Sequence, residues 1–107
     1  MPRVVRGGIY EYQSIRRVQV LVISVDMLNE IGTLVVVVEI TDKEPPNDPR
    51  VLVAVPLGPQ DPVAGTVLCW RLSYANADRL DATSSLGQVS SATLDRVVSG
   101  VRALIEP

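Results

Sequence analysis

The sequence predicts a mainly β protein, a small, partly closed β-barrel with one C-terminal α-helix. Three observations predict it. Short runs rich in Val, Ile and Leu alternate with clusters of Gly, Pro, Asn and Asp along most of the chain. A sustained helical period occurs only near the end. The chain holds 107 residues, 47% of them hydrophobic, which suits one core and one domain spanning 1–107.

Ile9–Tyr12 is a short first strand, with Gly7-Gly8 as the turn signal before it. Arg17–Ser24 is a second strand, rich in Val and Ile. Thr33–Thr41 is the third, and its run Val35-Val36-Val37-Val38 predicts burial on both faces of a covered sheet. Asp42–Pro49 contains Pro45-Pro46-Asn47-Asp48-Pro49, a composition that belongs in a loop. Arg50–Val55 is the fourth strand, Pro56–Gly65 a second loop, and Thr66–Tyr74 the fifth strand. The helix follows: Leu94, Val97, Val98, Val101, Leu104 and Ile105 recur on one face. Ser90 is a sound N-cap, and Val89 is placed to staple Leu94. Gly100 costs this helix about 1 kcal/mol relative to Ala. Such a helix is too short to stand alone and must dock on the barrel.

Composition excludes several chemistries. The absence of His removes Ser–His and Cys–His catalysis, imidazole proton shuttles and His–metal sites. The single cysteine, Cys69, forms neither an internal disulfide nor a cysteine zinc site, and a small buried hydrophobe is its expected role. A net charge of −2 and a pI near 5.0 supply no global positive field, so an anionic partner must be held by a local patch. Lys43 is the only lysine among ten basic residues; the arginines suit phosphate recognition and equally reflect genomic composition. Arg3 and Arg6 are followed by Gly7, Gly8, Tyr10 and Glu11 rather than an apolar signal core. The runs Val18–Val25 and Leu34–Ile40 fall short of the roughly 18–20 residues that span a bilayer. The expectation is a cytoplasmic protein with no membrane association.

Three stretches resemble the MazF/PemK (CcdB-fold) toxins of bacterial type II toxin–antitoxin pairs. Arg6-Gly7-Gly8-Ile9-Tyr10 is similar to that family's opening Arg-Gly-Asp-Ile-aromatic. Val20-Leu21-Val22-Ile23-Ser24, with Asp26 and Asn29 behind it, resembles its Val-Leu-Val-Ile-Ser with a trailing Asn-Asp and Asn, and Val38-Glu39-Ile40-Thr41 its strand ending in Ile-Thr. Arg79-Leu80 and Leu86-Gly87-Gln88-Val89-Ser90 resemble the segment leading into its last helix. The resemblance implies an SH3-like barrel, a homodimer, and metal-independent, sequence-specific cleavage of single-stranded RNA. It also implies neutralisation by a cognate antitoxin peptide and no cofactor.

The resemblance further implies catalytic roles for Arg17 and Thr41, and substrate binding by Arg16, Ser24, Arg71 and Ser73. Thr41 matches the family's Ile-Thr. The family's arginine before the second strand falls on Val18, with Arg17 one residue early and Arg16 two. The preceding loop is shortened to about Gln13–Ile15; the fifth strand reads Arg71-Leu72-Ser73 in place of Gln-x-Arg, and Asn76 stands where Asp is common.

RNA carries its own nucleophile, the 2′-OH, so cleavage needs only stabilisation of the phosphorane, a base and an acid. A fixed guanidinium answers the first need; removing such a donor typically costs about 2.7–4 kcal/mol. Glu11 or another carboxylate is the fallback base. Each residue also has a plainer role. Arg16 and Arg17 suit a solvated turn, Arg71 a barrel-edge ion pair, Thr41 the cap of a turn, and Trp70, with Leu68 and Leu72 as its alternation partners, the core or a dimer interface ahead of base stacking. The loop carboxylates Asp42, Glu44, Asp48 and Asp61 are expected to be solvated. A second reading is a toxin-fold protein acting through protein binding; a third is gyrase poisoning, for which the chain's end, Ala103-Leu104-Ile105-Glu106-Pro107, lacks the expected tryptophan.

Overall fold

The computed structural model describes residues 4–13, 17–31, 34–43, 53–80 and 85–106, without the side chains of Gln13 and Arg17. Arg16 and most of the Pro-rich segment lie outside the described residues. The strands are β1 (Gly8–Gln13), β2 (Arg17–Val22), β3 (Leu34–Thr41), β4 (Ala54–Pro56), β5 (Thr66–Asn76) and β6 (Ser85–Gln88). The helices are α1 (Asp26–Ile31) and α2 (Ser91–Ile105). The strands form one curled antiparallel sheet in the order β4-β5-β3-β2-β1-β6, a half-barrel with α2 across one face. The mainly β class and the C-terminal helix thus stand as the sequence predicts.

β3 lies between β2 and β5 and is buried on both faces. Val35 and Val37 point into one core with Tyr10, Val20, Val22, Ala75 and Leu80. Val38 and Ile40 point into the other with Ile9, Leu21, Val67, Cys69 and Val97. Alternation along a strand sends successive side chains to opposite faces, so a continuous apolar run requires two cores.

The pairing of β3 with β5 is broken once. Val38 faces Leu72, whereas the next residue, Glu39, faces Leu68. Cys69, Trp70 and Arg71 are thus looped between two successive residues of β3. An odd insertion reverses which face each later side chain takes. Before it, Val67 and Cys69 enter the core beneath α2; after it, Ala75 enters the opposite core, and Leu72 and Tyr74 emerge exposed.

α2 begins at the N-cap Ser90, whose hydroxyl accepts from the Thr93 amide. Thr93 and Val97 are buried, and Val101 packs on the same core, while Leu104 and Ile105 of the predicted stripe are exposed. Gly100 explains the close approach: a Cβ there would lie 2.9 Å from Cys69 Sγ and 3.5 Å from the Val53 carbonyl. The helix gives up intrinsic propensity to sit near the sheet. Cys69 is fully buried, and burial raises its thiol to about 11, so it is an inert packing group.

Three local readings are corrected. The described part of the fourth strand is Ala54–Pro56, and Pro56 closes it rather than opening a loop, as an edge strand tolerates. α1 and β6 are present where no element was expected. Asp61, expected to be solvated, is 9% exposed. Its Oδ1 accepts from the Ser90 amide at 2.8 Å, and its Oδ2 from the Gly58 amide at 2.7 Å and the Thr93 hydroxyl at 2.8 Å. This carboxylate fastens the β4–β5 loop to the start of α2.

Burial raises the Asp61 pKa, but hydrogen bonds from Ser90, Gly58 and Thr93 outweigh it and leave the group below its ordinary 3.8. A lowered folded pKa contributes stability above the unfolded value, lost as pH falls through the folded one. Asp61→Asn therefore destabilises the fold by about 2–3 kcal/mol at neutral pH, since bonds to a charged acceptor are weakened. Urea midpoints of the two proteins should stay apart from pH 7 to the unfolded value near 3.8 and begin to converge only below it, as acid protonates Asp61.

Candidate functional site

A cleft of ≈ 450 Å³ opens where β1, β2 and β3 end together. Antiparallel register builds it: Glu11 faces Gln19, Gln19 faces Ile40, and Thr41 follows as the last residue of β3. Glu11, Val18, Gln19, Glu39 and Thr41 line it, with Asp42, Lys43 and Val63 from the adjoining turns. Among the described lining residues, three carboxylates stand against the single ammonium of Lys43.

Thr41 is half-buried, and its Oγ1 accepts a hydrogen bond from the Lys43 amide at 3.1 Å. The hydroxyl thus caps a turn on a residue that lines the cleft, and as an acceptor it keeps its own proton to donate. Gly65 presses on the same place, its backbone at φ +138°; a Cβ on it would lie 2.7 Å from the Thr41 carbonyl oxygen. Only glycine fits that conformation and that separation.

Arg71, from the residues looped out of β5, reaches back to Glu39: Nη1 donates to Oε2 at 3.3 Å. The ion pair expected for Arg71 is present, and its partner is a cleft carboxylate. Arg17 heads β2 beside the lining residue Val18, its backbone paired with Gln13. Ser73 is exposed on β5, where its hydroxyl donates to the Tyr74 carbonyl at 3.3 Å.

Ser24 is placed elsewhere. The amide of its neighbour Ile23 bonds to the Val36 carbonyl, so Ser24 lies at the far end of β3 from Thr41. It is buried, its hydroxyl donates to Asn29 Oδ1 at 2.5 Å and accepts from the Val36 amide at 3.2 Å. Asn29 Nδ2 returns to the Ser24 carbonyl at 3.0 Å, and Asp26 Oδ1 accepts from the Arg6 amide at 2.8 Å. The Ser24, Asp26 and Asn29 pattern therefore pins α1 to β3 and to the turn before β1. Tyr10 is likewise structural, buried with its hydroxyl accepting from the Val5 amide at 3.1 Å.

Glu39, Lys43 and Gly65 were given no role at the site from the sequence. Glu39 carried a signal, as the one charged residue inside an otherwise apolar strand. Lys43 and Gly65 carried none, because register and a backbone approach define their roles.

A curled antiparallel half-barrel, crossed by one helix and notched by a polar cleft at its strand ends, is the architecture of a class of small bacterial toxins. The chain belongs to the PemK-like, MazF-like toxins of type II toxin–antitoxin systems, whose family model matches residues 10–105. It is similar to an endoribonuclease in complex with its cognate antitoxin from a Mycobacterial species: 25% identity, TM-score 0.85, covering 97% of each chain. It also resembles an endoribonuclease from a Mycobacterial species, with 24% identity, TM-score 0.83, and 96% and 91% of the two chains covered. A third likeness is to the MazE–MazF complex (Form-I) of Deinococcus radiodurans, with 19% identity, TM-score 0.79 and 97% of each chain covered. The latter two speak to fold alone. No curated protein matches the sequence. Among the described residues, no helix is long and apolar enough to cross a membrane.

Gly65→Ala places a methyl group against the Thr41 carbonyl. We expect a loss of about 1–3 kcal/mol from the strained backbone, with faster amide hydrogen exchange at Lys43 as the turn loosens. Unchanged stability and unchanged Lys43 exchange would show that the turn does not depend on this contact.

Proposed function

We propose that this chain is a cytoplasmic toxin that cleaves single-stranded RNA at short sequences by attack of the 2′-OH on the adjacent phosphate. The observation that carries this reading is the polar cleft with Thr41 at the end of β3, in a chain whose family match runs nearly end to end. In the reaction the 2′-oxygen loses its proton and bonds to phosphorus, and the bond to the 5′-oxygen breaks as that oxygen takes a proton from water. The products are a 2′,3′-cyclic phosphate and a 5′-hydroxyl, and no metal is required. The Thr41 hydroxyl donates to a non-bridging oxygen. Arg17, with Arg16 and Arg71, meets the charge of the phosphorane, where preorganised donors act most strongly. Glu11 is the cleft carboxylate that takes the 2′ proton. Ser73 offers a hydroxyl to the strand on the exposed face of β5, and Ser24 supports the cleft at a distance by fixing β3.

End-mapping of RNA after incubation tests this. Wild-type protein should leave cyclic phosphate ends with a chelator present. Thr41→Ala should slow cleavage by about 10²–10³-fold if its hydroxyl acts as an oxyanion donor. Arg17→Ala and Arg71→Ala should each slow it as well. Intact RNA across varied substrates would instead favour a toxin-fold protein that acts by binding. One observation supports that second reading: Val18, which occupies the family's arginine position, lines the cleft.

The partners follow from the same fold. A cognate antitoxin peptide is the expected neutralising partner. The functional unit is a homodimer, because Leu34, Leu72 and Tyr74 expose 51%, 45% and 70% of their surface on one sheet face. Such an apolar strip calls for a second copy. Leu72→Glu combined with Tyr74→Glu should convert the protein from dimer to folded monomer in sedimentation at micromolar concentration; a wild-type monomer would overturn the assignment.

A further inference from the structure

The pair between Glu39 and Arg71 poses a question that phosphate recognition alone leaves open. Arg71 is the described guanidinium nearest the cleft wall formed by Glu39, and that wall is predominantly acidic. Among the described lining residues, an anionic strand meets the carboxylates of Glu11, Glu39 and Asp42 beside the ammonium of Lys43. The Arg71 side chain is 51% exposed, whereas that of Glu39 is 18% exposed. The guanidinium is thus open to a ligand from solvent, and the carboxylate holds it from within.

We propose that Glu39 is an internal competitor for RNA phosphate, a positioning residue that occupies Arg71 until the substrate displaces it. This rests on the nuclease reading above. The chemistry of the exchange is matched: a carboxylate and a phosphodiester each carry one negative charge and present oxygens to the same guanidinium fork. A half-exposed ion pair is weak, so a phosphate held by other cleft contacts can replace it. The Glu39 carboxylate remains on the strand beside the incoming charge, and that repulsion opposes binding wherever the remaining contacts are poor. Glu39 therefore lowers affinity for every strand and tolerates only one that makes the full set of contacts. The irregularity between Val38 and Glu39 takes Arg71 out of the ladder, where Glu39 pairs with Leu68, and leaves its guanidinium within reach of the Glu39 carboxylate.

Fluorescence anisotropy with a 2′-O-methylated, uncleavable RNA oligonucleotide, titrated at several salt concentrations, tests the proposal. Glu39→Gln keeps the side chain's size and removes its charge. It should bind about three- to tenfold tighter, with a salt slope steeper by about 0.7, the value for one additional phosphate contact on a single strand. The gain should vanish in the Glu39→Gln, Arg71→Ala double variant. Equal affinity and slope for wild type and Glu39→Gln, weaker binding by the variant, or a gain that survives loss of Arg71 would each overturn the competitor while leaving RNA binding intact. Failure of both proteins to bind the oligonucleotide would overturn the nuclease reading and this proposal with it. Should Glu39→Gln not fold, the wild-type protein supplies the test through the carboxyl ¹³C resonance of Glu39. That resonance should move as RNA displaces it from Arg71, and a stationary resonance under saturating RNA would refute the exchange.

Discussion

The structure depends on one constraint: β3 must satisfy two cores at once. Its continuous apolar run divides by alternation, Val35 and Val37 to one side and Val38 and Ile40 to the other. No single helix or loop covers both. The sheet therefore curls, with α2 over one core and the turn at residues 77–80 beside Val4 over the other. β2 serves both by simple alternation, Val20 and Val22 to one and Leu21 to the other, whereas β5 changes face along its length. The looped-out Cys69-Trp70-Arg71 achieves that change in β5.

The same change has consequences for chemistry. Register continued from Val38 and Leu72 would set Arg71 directly opposite Glu39; the irregularity takes Arg71 out of the ladder but leaves it within reach of the Glu39 carboxylate at the cleft wall, and it turns Leu72 and Tyr74 outward. Packing and the exposed apolar strip thus share a single geometric origin. Asp61 supplies the other fixed point. By holding the β4–β5 loop to the start of α2, it fixes the segment that carries Val63 and Gly65 to the cleft.

Much of this was legible in the residues. The Val35–Val38 run announced two-sided burial, and the stripe through Val97 and Val101 announced a docked helix with Ser90 as its cap. Cys69 read correctly as a packing residue. α1 was not legible because its side chains Met27, Leu28 and Ile31 are exposed and it is held by hydrogen bonds from Asn29 rather than by an apolar stripe. β6 was hidden by Gly87, whose positive φ of 117° suits a turn more than a strand. At the site, Thr41 was legible as a cap, and it lines the cleft as well. The engagement of Arg71 with Glu39 was not, because the register between β3 and β5 has no local signature in sequence.

On the proposed function, RNA enters at the Thr41 end of β3 rather than at α1. Amide hydrogen exchange, measured with and without an uncleavable RNA oligonucleotide, tests this most directly. Slowed exchange at Glu39 through Lys43 and around Arg71, with α1 unaffected, is the predicted footprint. Protection confined to α1, or no protection anywhere under saturating RNA, would contradict it.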